Sequence, residues 1–204
     1  MNPSDDPFAL LPFAIAGIVL GVVLAGGASR RMGRPKGRLL HPSGRSYLAE
    51  ALHRLRPWTR VQVAAGHGPG EQVPAHVPWL RDPPGLYGPL AGIAAAVRAF
   101  PADYYLILAV DIPGARPERL VRWARRYPGR AVVGADPAGH LQPLAGCYPA
   151  AQVRQVWQRL RRGRRRARGW ALAGSRAPLR LRGAAWRNVN TPLEAGVFVG
   201  RGEP

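Results

Sequence analysis

The sequence predicts an α/β protein, a three-layer α/β/α sandwich with a mostly parallel sheet. Short apolar segments alternate along the chain with segments of helical periodicity, the order typical of parallel sheets covered by helices. One short predicted strand ends in a carboxylate, and ligands bind at the carboxyl ends of strands in such sheets. With 204 residues the chain can bury a substantial core. We expect residues 17–204 to form a single domain and residues 1–16 an N-terminal extension of unknown role.

The first predicted strand covers residues 18–24. It is expected to be a fully buried parallel strand, in which the apolar run need not alternate with polar residues. It lies in an uncharged stretch at residues 8–28, whose length would suit a membrane span of about 20 residues. Because Pro12 interrupts this stretch and glycines dilute it, we expect a buried strand and no membrane segment.

This strand leads into a glycine-rich, basic loop. Residues 22–36 have the sequence VVLAGGASRRMGRPK, an apolar run followed by Gly26 and Gly27 and then by cations. Backbone without side chains lets N–H groups approach an anion closely, so the loop predicts a phosphate site. The spacing excludes both a Walker A loop and the G-x-G-x-x-G dinucleotide motif.

Lys36 closes this loop and is the single lysine among the 30 lysine and arginine residues of the chain. A chain that uses arginine at every other basic position but lysine here favours a compact ammonium group at this point, rather than a planar guanidinium. The alternative is chance in an arginine-rich composition.

The other elements follow from periodicity and from turn residues. Pro57 stops the first helix, and Pro89 lies in the first turn of the second, a position that tolerates proline. The predicted helices cover residues 47–55, 88–100 and 117–126, and the predicted strands or extended segments cover residues 61–65, 79–82, 104–110, 131–135 and 142–148. Two of these strands lead into carboxylates, Asp82 and Asp111, which are therefore expected at the ligand edge of the sheet.

The segment at residues 153–170 carries eight arginines. Interpreted as one helix, it would place Val153, Val156, Trp157 and Leu160 on an apolar face and the charges on the opposite face. The arginines then form either a solvated surface or a polyanion-binding surface. An extended piece is predicted at residues 186–192, where the sequence is WRNVNTP.

The net charge of +19 admits phosphorylated small molecules, nucleic acid and anionic membranes as partners. The chain has one cysteine, Cys147, which excludes an internal disulfide and a cysteine-based zinc cluster. A reducing cytoplasm is the simplest compartment for such a chain. The aromatic and glycine pattern of an RNA-recognition sheet is missing, so a basic nucleic-acid-binding protein is a less favoured alternative, and a membrane-tethered adaptor is less favoured still.

Asp111 is the candidate magnesium ligand. Mg²⁺ keeps several waters and commonly takes only one or two protein carboxylates, so one carboxylate at a strand end suffices when bound phosphate and waters complete the coordination. The alternative role, an N-cap for the helix that begins at Pro117, is disfavoured because Pro113 and four further residues intervene.

The loop resembles the L-A-G-G-x-S-x-R-M-G-x-x-K signature of nucleotidyltransferases that activate sugars, polyols and pterins. The resemblance is strongest to the molybdenum cofactor guanylyltransferases, the molybdopterin-guanine dinucleotide biosynthesis protein A family. Further similar segments are GPLAGI at residues 88–93, LAVDIP at residues 108–113, NVNTP at residues 188–192, and Asp82. The resemblance covers about residues 19–195.

This resemblance implies a Rossmann-like, nucleotide-diphospho-sugar transferase-like fold. It also implies Mg²⁺-dependent transfer of GMP from GTP to the terminal phosphate of the molybdenum-loaded molybdopterin cofactor, with release of pyrophosphate. The implied partners are these two small molecules, with transient contacts to other molybdenum-cofactor proteins.

The resemblance also implies roles for individual residues. The catalytic residues would be Lys36, Arg31 and Asp111, with Asp111 as the metal ligand. Arg164, Arg165 or Arg166 would help to hold the phosphate of the acceptor. The residues that would hold the nucleotide are Leu24, Ala25, Gly26, Gly27, Lys36 for its phosphates, Asp82 at its guanosine end, Asp111 and Asn190.

Two positions depart from the family pattern. Ala64 stands where the family usually has an asparagine that helps to hold the nucleotide, and Gln142 replaces the histidine of an H-P pair, with His140 two residues earlier. Both departures bear on nucleotide and pterin selectivity. A related nucleotidyltransferase that uses CTP or another acceptor is therefore the alternative enzyme.

Overall fold

The computed structural model describes residues 17–26, 36–66, 73–174 and 177–188. These residues form a seven-stranded sheet with the strand order β3-β2-β1-β4-β6-β5-β7. The strands are β1 Val19–Leu24, β2 Val61–Gly66, β3 Trp79–Arg81, β4 Tyr104–Ala109, β5 Val132–Ala135, β6 Leu141–Pro149 and β7 Leu179–Arg182. The α-helices are α1 Tyr47–Leu55, α2 Pro89–Ala99, α3 Pro117–Arg126, α4 Ala150–Val153, α5 Val156–Arg161 and α6 Ala167–Ala171.

The sheet is mostly parallel, as predicted. β1 pairs in parallel with β2 and with β4, β2 pairs in parallel with β3, and β5 pairs in parallel with β7. Strand β6 is antiparallel to both of its neighbours, β4 and β5. Because β6 reverses direction between them, β5 runs parallel to β4, and its end lies at the same edge of the sheet as the ends of β1 to β4.

Both faces of the sheet are covered, which explains why β1 is buried at all six positions. On one face, the side chains of Val22 and Ile107 pack into a core formed with α2, α5 and α6. On the other face, Val23 and Leu108 pack into a core formed with α1 and α3. Alternate residues of each central strand thus enter different cores, and the three-layer α/β/α prediction is confirmed.

The helix starts have local causes. Ser46 caps α1, because its side chain accepts a hydrogen bond from the backbone N–H of Ala49 at 3.1 Å. Helices α2 and α3 both begin with proline, at Pro89 and Pro117. The N-cap of α3 is Arg116, so Asp111 does not cap this helix, as the sequence predicted.

The arginine-rich segment is not one helix, and that prediction was wrong. Residues 153–170 contain the last residue of α4, the whole of the short helix α5 and most of the short helix α6. Gly163 follows α5 with a φ of +67°, a left-handed conformation that ends the helix. Val153, Val156 and Leu160 are nevertheless buried, as the predicted apolar face required.

Two further parts of the C-terminal region differ from expectation. Strand β7 was not predicted, because its LRLR sequence continues the arginine-rich composition. The extended piece predicted at residues 186–192 differs at its first residue, because Trp186 ends a 3-10 helix, Ala184–Trp186. Residues 189–192 lie outside the described part of the chain. None of the helices in the described ranges has the length and apolar character needed to cross a membrane.

Candidate active site

The ends of four strands meet at one edge of the sheet. Beyond the strands, the backbone ladder continues for one more residue, because Ala25 N–H donates to the carbonyl of Ala65 at 3.0 Å and Val110 N–H donates to that of Leu24 at 3.1 Å. Asp82 N–H lies 3.4 Å from the carbonyl of Gly66. The residues that follow β3, β2, β1 and β4 are therefore side by side at this edge.

The glycine-rich loop leaves β1 in close contact with the end of β2. A Cβ atom added to Gly66 would lie 2.5 Å from the Cα of Gly26 and 2.6 Å from its backbone nitrogen, so no side chain fits at Gly66. Leu24 and Ala25 are buried below this contact, and Gly26 is exposed above it. Of the predicted nucleotide-lining residues Leu24, Ala25 and Gly26, Gly26 is the exposed one, and it presents backbone alone to the ligand edge.

Asp82 lies against the first half of α2. A Cβ atom added to Gly92 would lie 3.0 Å from Cδ2 of Leu24 and 3.6 Å from Oδ1 of Asp82. The absence of a side chain at Gly92 lets α2 approach the ends of β1 and β2, and it brings the half-buried Asp82 carboxylate to the same place. Neither glycine was singled out from the sequence, although Gly66 directly follows a predicted strand and Gly92 lies inside a predicted helix, where a glycine is an available signal.

Asp111 follows β4 directly and is half-buried in a turn. The turn is closed by hydrogen bonds from Ile112 N–H to the carbonyl of Ala109 at 3.1 Å and from Ala115 N–H to the carbonyl of Ile112 at 3.0 Å. Strands β3 and β4 are three strand spacings apart in the sheet, so the Asp82 and Asp111 positions are separated by about 14 Å. The two carboxylates therefore flank an elongated site and do not form a pair.

The donor set fits a magnesium ion that is bound mainly through a substrate. No group of three or more His, Cys, Asp or Glu side chains that could hold a metal occurs within the described ranges. A single carboxylate such as Asp111 suits Mg²⁺, which takes few protein ligands when phosphates and waters supply the others.

Several predicted site residues cannot be placed. Gly27, Arg31 and Asn190 lie outside the described residues. Lys36 begins a short 3-10 helix, Lys36–Arg38, which leads toward α1, but its side chain is not described. Their roles remain predictions from the loop and NVNTP motifs.

His140 and Gln142 also lie at the ligand edge. The β5–β6 turn joins the end of β5 to the start of β6, and in it Asp136 accepts hydrogen bonds from the backbone N–H of His140 at 2.8 Å. The Nδ1 atom of His140 lies 3.0 Å from the second Asp136 oxygen. The Asp136 carboxylate therefore fixes His140 on the side of β4 opposite to Asp82.

The arginine-rich segment reaches the loop between β3 and α2. The guanidinium carbon of Arg165 lies 4.0 Å from the ring centroid of Tyr87, whose side chain is exposed. Residues 164–166 therefore border the edge at which Asp82 lies.

Residues 21–177 match the MobA-like NTP transferase domain family. The chain belongs to this family. A probable molybdenum cofactor guanylyltransferase of Rhodopirellula baltica is 34% identical over 200 residues, which cover 91% of this chain and 94% of the relative. The MobA-like domain is thus a nucleotidyltransferase.

Solved structures share the fold of this MobA-like domain. Molybdopterin-guanine dinucleotide biosynthesis protein A from Archaeoglobus fulgidus superimposes with a TM-score of 0.69 and 18% identity, covering 89% of this chain and 97% of that one. A manganese complex of Rv0371c from Mycobacterium tuberculosis superimposes with a TM-score of 0.60 and 17% identity, covering 90% and 98%. The fold class predicted from the sequence is confirmed.

In the MobA-like domain, Ala64 lies in the interior of β2 and is fully buried in the core shared with α1 and α3. It offers a nucleotide no polar group, and the adjacent Ala65 contributes only its carbonyl, which accepts the Ala25 hydrogen bond. Among the described residues that follow β1, β2 and β3, the charged side chain on this side of the edge is that of Asp82.

Proposed function

We propose that this MobA-like domain transfers GMP from GTP to the terminal phosphate of the molybdenum-loaded molybdopterin cofactor and releases pyrophosphate. The observation that carries the proposal is the single edge at which the Gly26 backbone, Asp82 and Asp111 are aligned. The relatives named molybdenum cofactor guanylyltransferase support this choice of nucleotide and acceptor.

Asp82 suits the base end of the nucleotide. An ionised carboxylate only accepts hydrogen bonds, and guanine presents N–H donors on its Watson–Crick edge. The four strands β3, β2, β1 and β4 are adjacent in this order, and Asp82 follows β3 whereas Asp111 follows β4. The Asp82 oxygen near Gly92 is therefore at the far side of these four strands from Asp111. Adenine and cytosine present fewer donors to such an acceptor, so this carboxylate favours guanine.

The Gly26 backbone suits the phosphates between the two carboxylates. Gly26 is exposed at the point where the loop leaves the sheet. Its backbone can lie this close to the end of β2 only because Gly66 lacks a side chain. Lys36 and Arg31 are assigned to the phosphates by the motif, as cations that neutralise charge near the glycines.

Asp111 is the residue that would hold Mg²⁺, which when bound would supply positive charge to the triphosphate. In the transfer, an oxygen of the acceptor phosphate forms a bond to the α-phosphorus of GTP. The bond from that phosphorus to the bridging oxygen breaks, and pyrophosphate leaves with this oxygen. The chain contributes position and charge, and no proton has to move.

Calorimetry with GTP, CTP and ATP in the presence of Mg²⁺ tests the nucleotide assignment. We expect GTP to bind most tightly and the GTP preference to fall in Asp82→Asn, because the amide presents a donor where the carboxylate only accepts. Equal or preferential binding of CTP would assign the domain to the alternative, a cytidylyl transfer, which is open because the buried Ala64 stands where the family usually has an asparagine that helps to hold the nucleotide.

A further inference from the structure

A buried carboxylate, Glu50 on α1, lies between the two segments that carry the predicted catalytic residues. It is 7% exposed and accepts hydrogen bonds on both of its oxygens. Oε2 accepts from the Ser43 hydroxyl at 2.8 Å and from Arg45 Nη1 at 3.3 Å, while Oε1 accepts from Arg54 Nε at 2.9 Å. A carboxylate buried with this many donors is fixed in position.

Arg54 extends this cluster to the turn that carries Asp111. Its Nη1 donates to the backbone carbonyls of Pro113 and of Ala115, the latter at 3.1 Å. The guanidinium thus holds Glu50 with one edge and two carbonyls of the turn with the other. Both Pro113 and Ala115 are buried, so these carbonyls have little access to water.

The geometry requires arginine at this position. A guanidinium offers five N–H donors in a rigid plane, whereas a lysine ammonium is a point charge on a flexible stem. A lysine at residue 54 could not hold the Glu50 carboxylate and both carbonyls in the same arrangement. Removing the side chain would leave the two buried carbonyls of Pro113 and Ala115 without this donor.

The opposite end of the cluster fixes the segment that follows Lys36. This segment folds back on itself, because Tyr47 N–H donates to the Leu39 carbonyl at 2.9 Å and His41 N–H donates to the Arg45 carbonyl at 2.7 Å. Ser43, at its tip, donates to Glu50. One carboxylate therefore connects the segment after Lys36 with the turn of Asp111.

Glu50 is ionised under ordinary conditions. Burial raises its pKa, but the hydrogen bonds from Ser43 and Arg54 and the charge of Arg54 outweigh burial, so that the pKa lies below its ordinary value. The side of the cluster that faces the turn is lined by a small cavity between α1 and the turn, with Tyr47, Ile112 and Pro113 in its wall. Arg54 thus adds directional hydrogen bonds to the core packing of Ile112 and Ala115.

We propose that Glu50 and Arg54 are positioning residues that hold the Asp111 turn in its metal-binding conformation. Arg54 fixes the turn through the Pro113 and Ala115 carbonyls, and Glu50 fixes Arg54. The metal-binding part of this inference rests on the proposed function; the positioning of the turn is independent of it.

Arg54→Ala and Arg45→Ala form a matched pair of variants. Both remove an arginine that pairs with Glu50, but Arg45 is exposed, and its only ion pair within the described residues is with Glu50. Hydrogen exchange at the amides of Ile112 and Ala115 reports directly on the turn. We expect exchange there to accelerate at least tenfold in Arg54→Ala and to stay within twofold of wild type in Arg45→Ala, because Arg54 donates hydrogen bonds to the Pro113 and Ala115 carbonyls of the turn whereas the hydrogen bond of the Arg45 side chain goes to Glu50.

Metal binding is measured with Mn²⁺ as the probe, by electron paramagnetic resonance of the GTP-loaded protein. Loss of a residue that orients a metal ligand typically costs about 10–100-fold in metal affinity, and we expect a weakening in this range for Arg54→Ala. We also expect the Mg²⁺ concentration needed for half-maximal GMP transfer to rise, with the GTP affinity measured without metal unchanged. Arg54→Lys and Glu50→Gln, which preserve more of the packing, should show intermediate effects.

Unchanged exchange at Ile112 and Ala115 in Arg54→Ala, or equal effects of Arg45→Ala, would overturn the inference. If Arg54→Ala does not fold, the same comparison is made between Arg54→Lys and Arg45→Ala. Failure of the proposed function is a separate outcome: the wild type would then transfer no GMP, while the exchange measurement would still decide whether Arg54 holds the turn.

Discussion

At the scale of single residues, the candidate site depends on what Asp111, Gly66 and Lys36 present to the ligand edge. Asp111 supplies a charge, Gly66 supplies space, and Lys36 is predicted to supply a compact cation. Each property has a substitution that removes it, and the chain offers a control for each.

Asp111→Asn keeps the shape of the side chain and removes the charge that would hold Mg²⁺. We expect GMP transfer to fall by about 10²–10³ or more, because positioned charge stabilisation of a transition state has this magnitude. The melting temperature should change little, since the residue is only half-buried. The control is Asp103→Asn, whose carboxylate accepts a hydrogen bond from Ile18 N–H at the opposite edge of the sheet, about 25 Å from Asp111 along β4.

Steady-state kinetics at several Mg²⁺ concentrations measure this effect. A wild-type rate for Asp111→Asn at ordinary Mg²⁺ would remove Asp111 from the site, and an equal loss in Asp103→Asn would show that the effect is structural.

Gly66→Ala places a methyl group 2.5 Å from the Cα of Gly26, so the glycine-rich loop must move. We expect GTP affinity to fall at least tenfold and the free energy of unfolding to fall by about 1–3 kcal/mol, the typical cost of overpacking. Gly85→Ala is the control: its added Cβ meets no atom within 4 Å, but its φ of +71° makes alanine strained. It should destabilise the protein and leave GTP affinity intact.

Calorimetry and urea denaturation separate the two effects. If both glycine variants lose GTP affinity in proportion to stability, the contact between Gly66 and Gly26 has no specific role in binding.

Lys36→Arg tests whether the only lysine is required. A guanidinium is wider than an ammonium and is restricted to a planar geometry, so it should reach poorly between phosphate oxygens in a crowded loop. We expect Lys36→Arg to lie within about tenfold of Lys36→Ala for GMP transfer, a loss on the order of 10²–10³ from wild type. The reverse exchange, Arg38→Lys, affects an exposed residue of the same 3-10 helix and should be neutral. Wild-type turnover of Lys36→Arg would make the lone lysine a compositional accident.

At the scale of elements, periodicity predicted those parts of the chain whose packing is locally determined. The helices at residues 47–55 and 117–126 and strand β4 were placed within a residue of their ends, because each has a capping signal or an uninterrupted apolar run. The arginine-rich segment failed this test, since Gly163 adopts a left-handed conformation that the apolar pattern does not reveal. The Glu50 cluster was also missed, because its Arg54–Ala115 hydrogen bond joins residues that are 61 apart in the chain and meet only after folding.

The segment from Lys36 to α1 contains a pH-sensitive group, His41. Burial lowers the pKa of its ring below 6.5, and the Arg54 and Arg45 charges lower it further, while Glu50 opposes them. The backbone N–H of Ser43 donates to Nδ1 of His41 at 3.1 Å. Nδ1 can accept this hydrogen bond only when it carries no proton, that is, in the neutral ring. Between the lowered pKa and 6.5 the unfolded chain binds a proton that the folded chain does not, so stability falls as pH drops below 6.5.

Urea denaturation between about pH 7.5 and pH 5.5 measures this dependence. We expect the free energy of unfolding to fall across this range in the wild type and to fall less in His41→Asn. Glu50 also makes the protein less stable as pH falls, but at lower pH than His41. Its pKa in the folded protein lies below the ordinary value of 4.5, so its stabilisation is lost as pH falls from about 4.5 through the lowered pKa. An equal slope in His41→Asn would show that another group titrates.

At the scale of the whole molecule, the class of the sheet was predictable and its strand order was not. Alternation of strands and helices indicates a parallel sheet with two covered faces, but it does not say that β6 inserts antiparallel between β4 and β5. That order depends on contacts between distant segments. Trp186, for example, is fully buried against β5, where a Cβ atom added to Gly134 would lie 2.5 Å from its ring.

The candidate site was predictable to the extent that its residues lie at strand ends. The sequence placed Leu24, Asp82 and Asp111 at one edge, because parallel strands end at the same edge. It did not reveal that Gly66 and Gly92 bring the loop and α2 against that edge, since such close approaches exist only between segments that are far apart in the chain.

The most direct measurement is transfer of label from GTP that carries ³²P at its α-phosphate, with molybdenum-loaded molybdopterin as the acceptor and Mg²⁺ present. The proposed function predicts that the label appears in a dinucleotide product in equal amount to the pyrophosphate released. It also predicts that α-labelled CTP gives far less product and that Asp111→Asn gives almost none. Release of pyrophosphate without labelled dinucleotide, or preferential transfer from CTP, would contradict the assignment of this domain as a molybdenum cofactor guanylyltransferase.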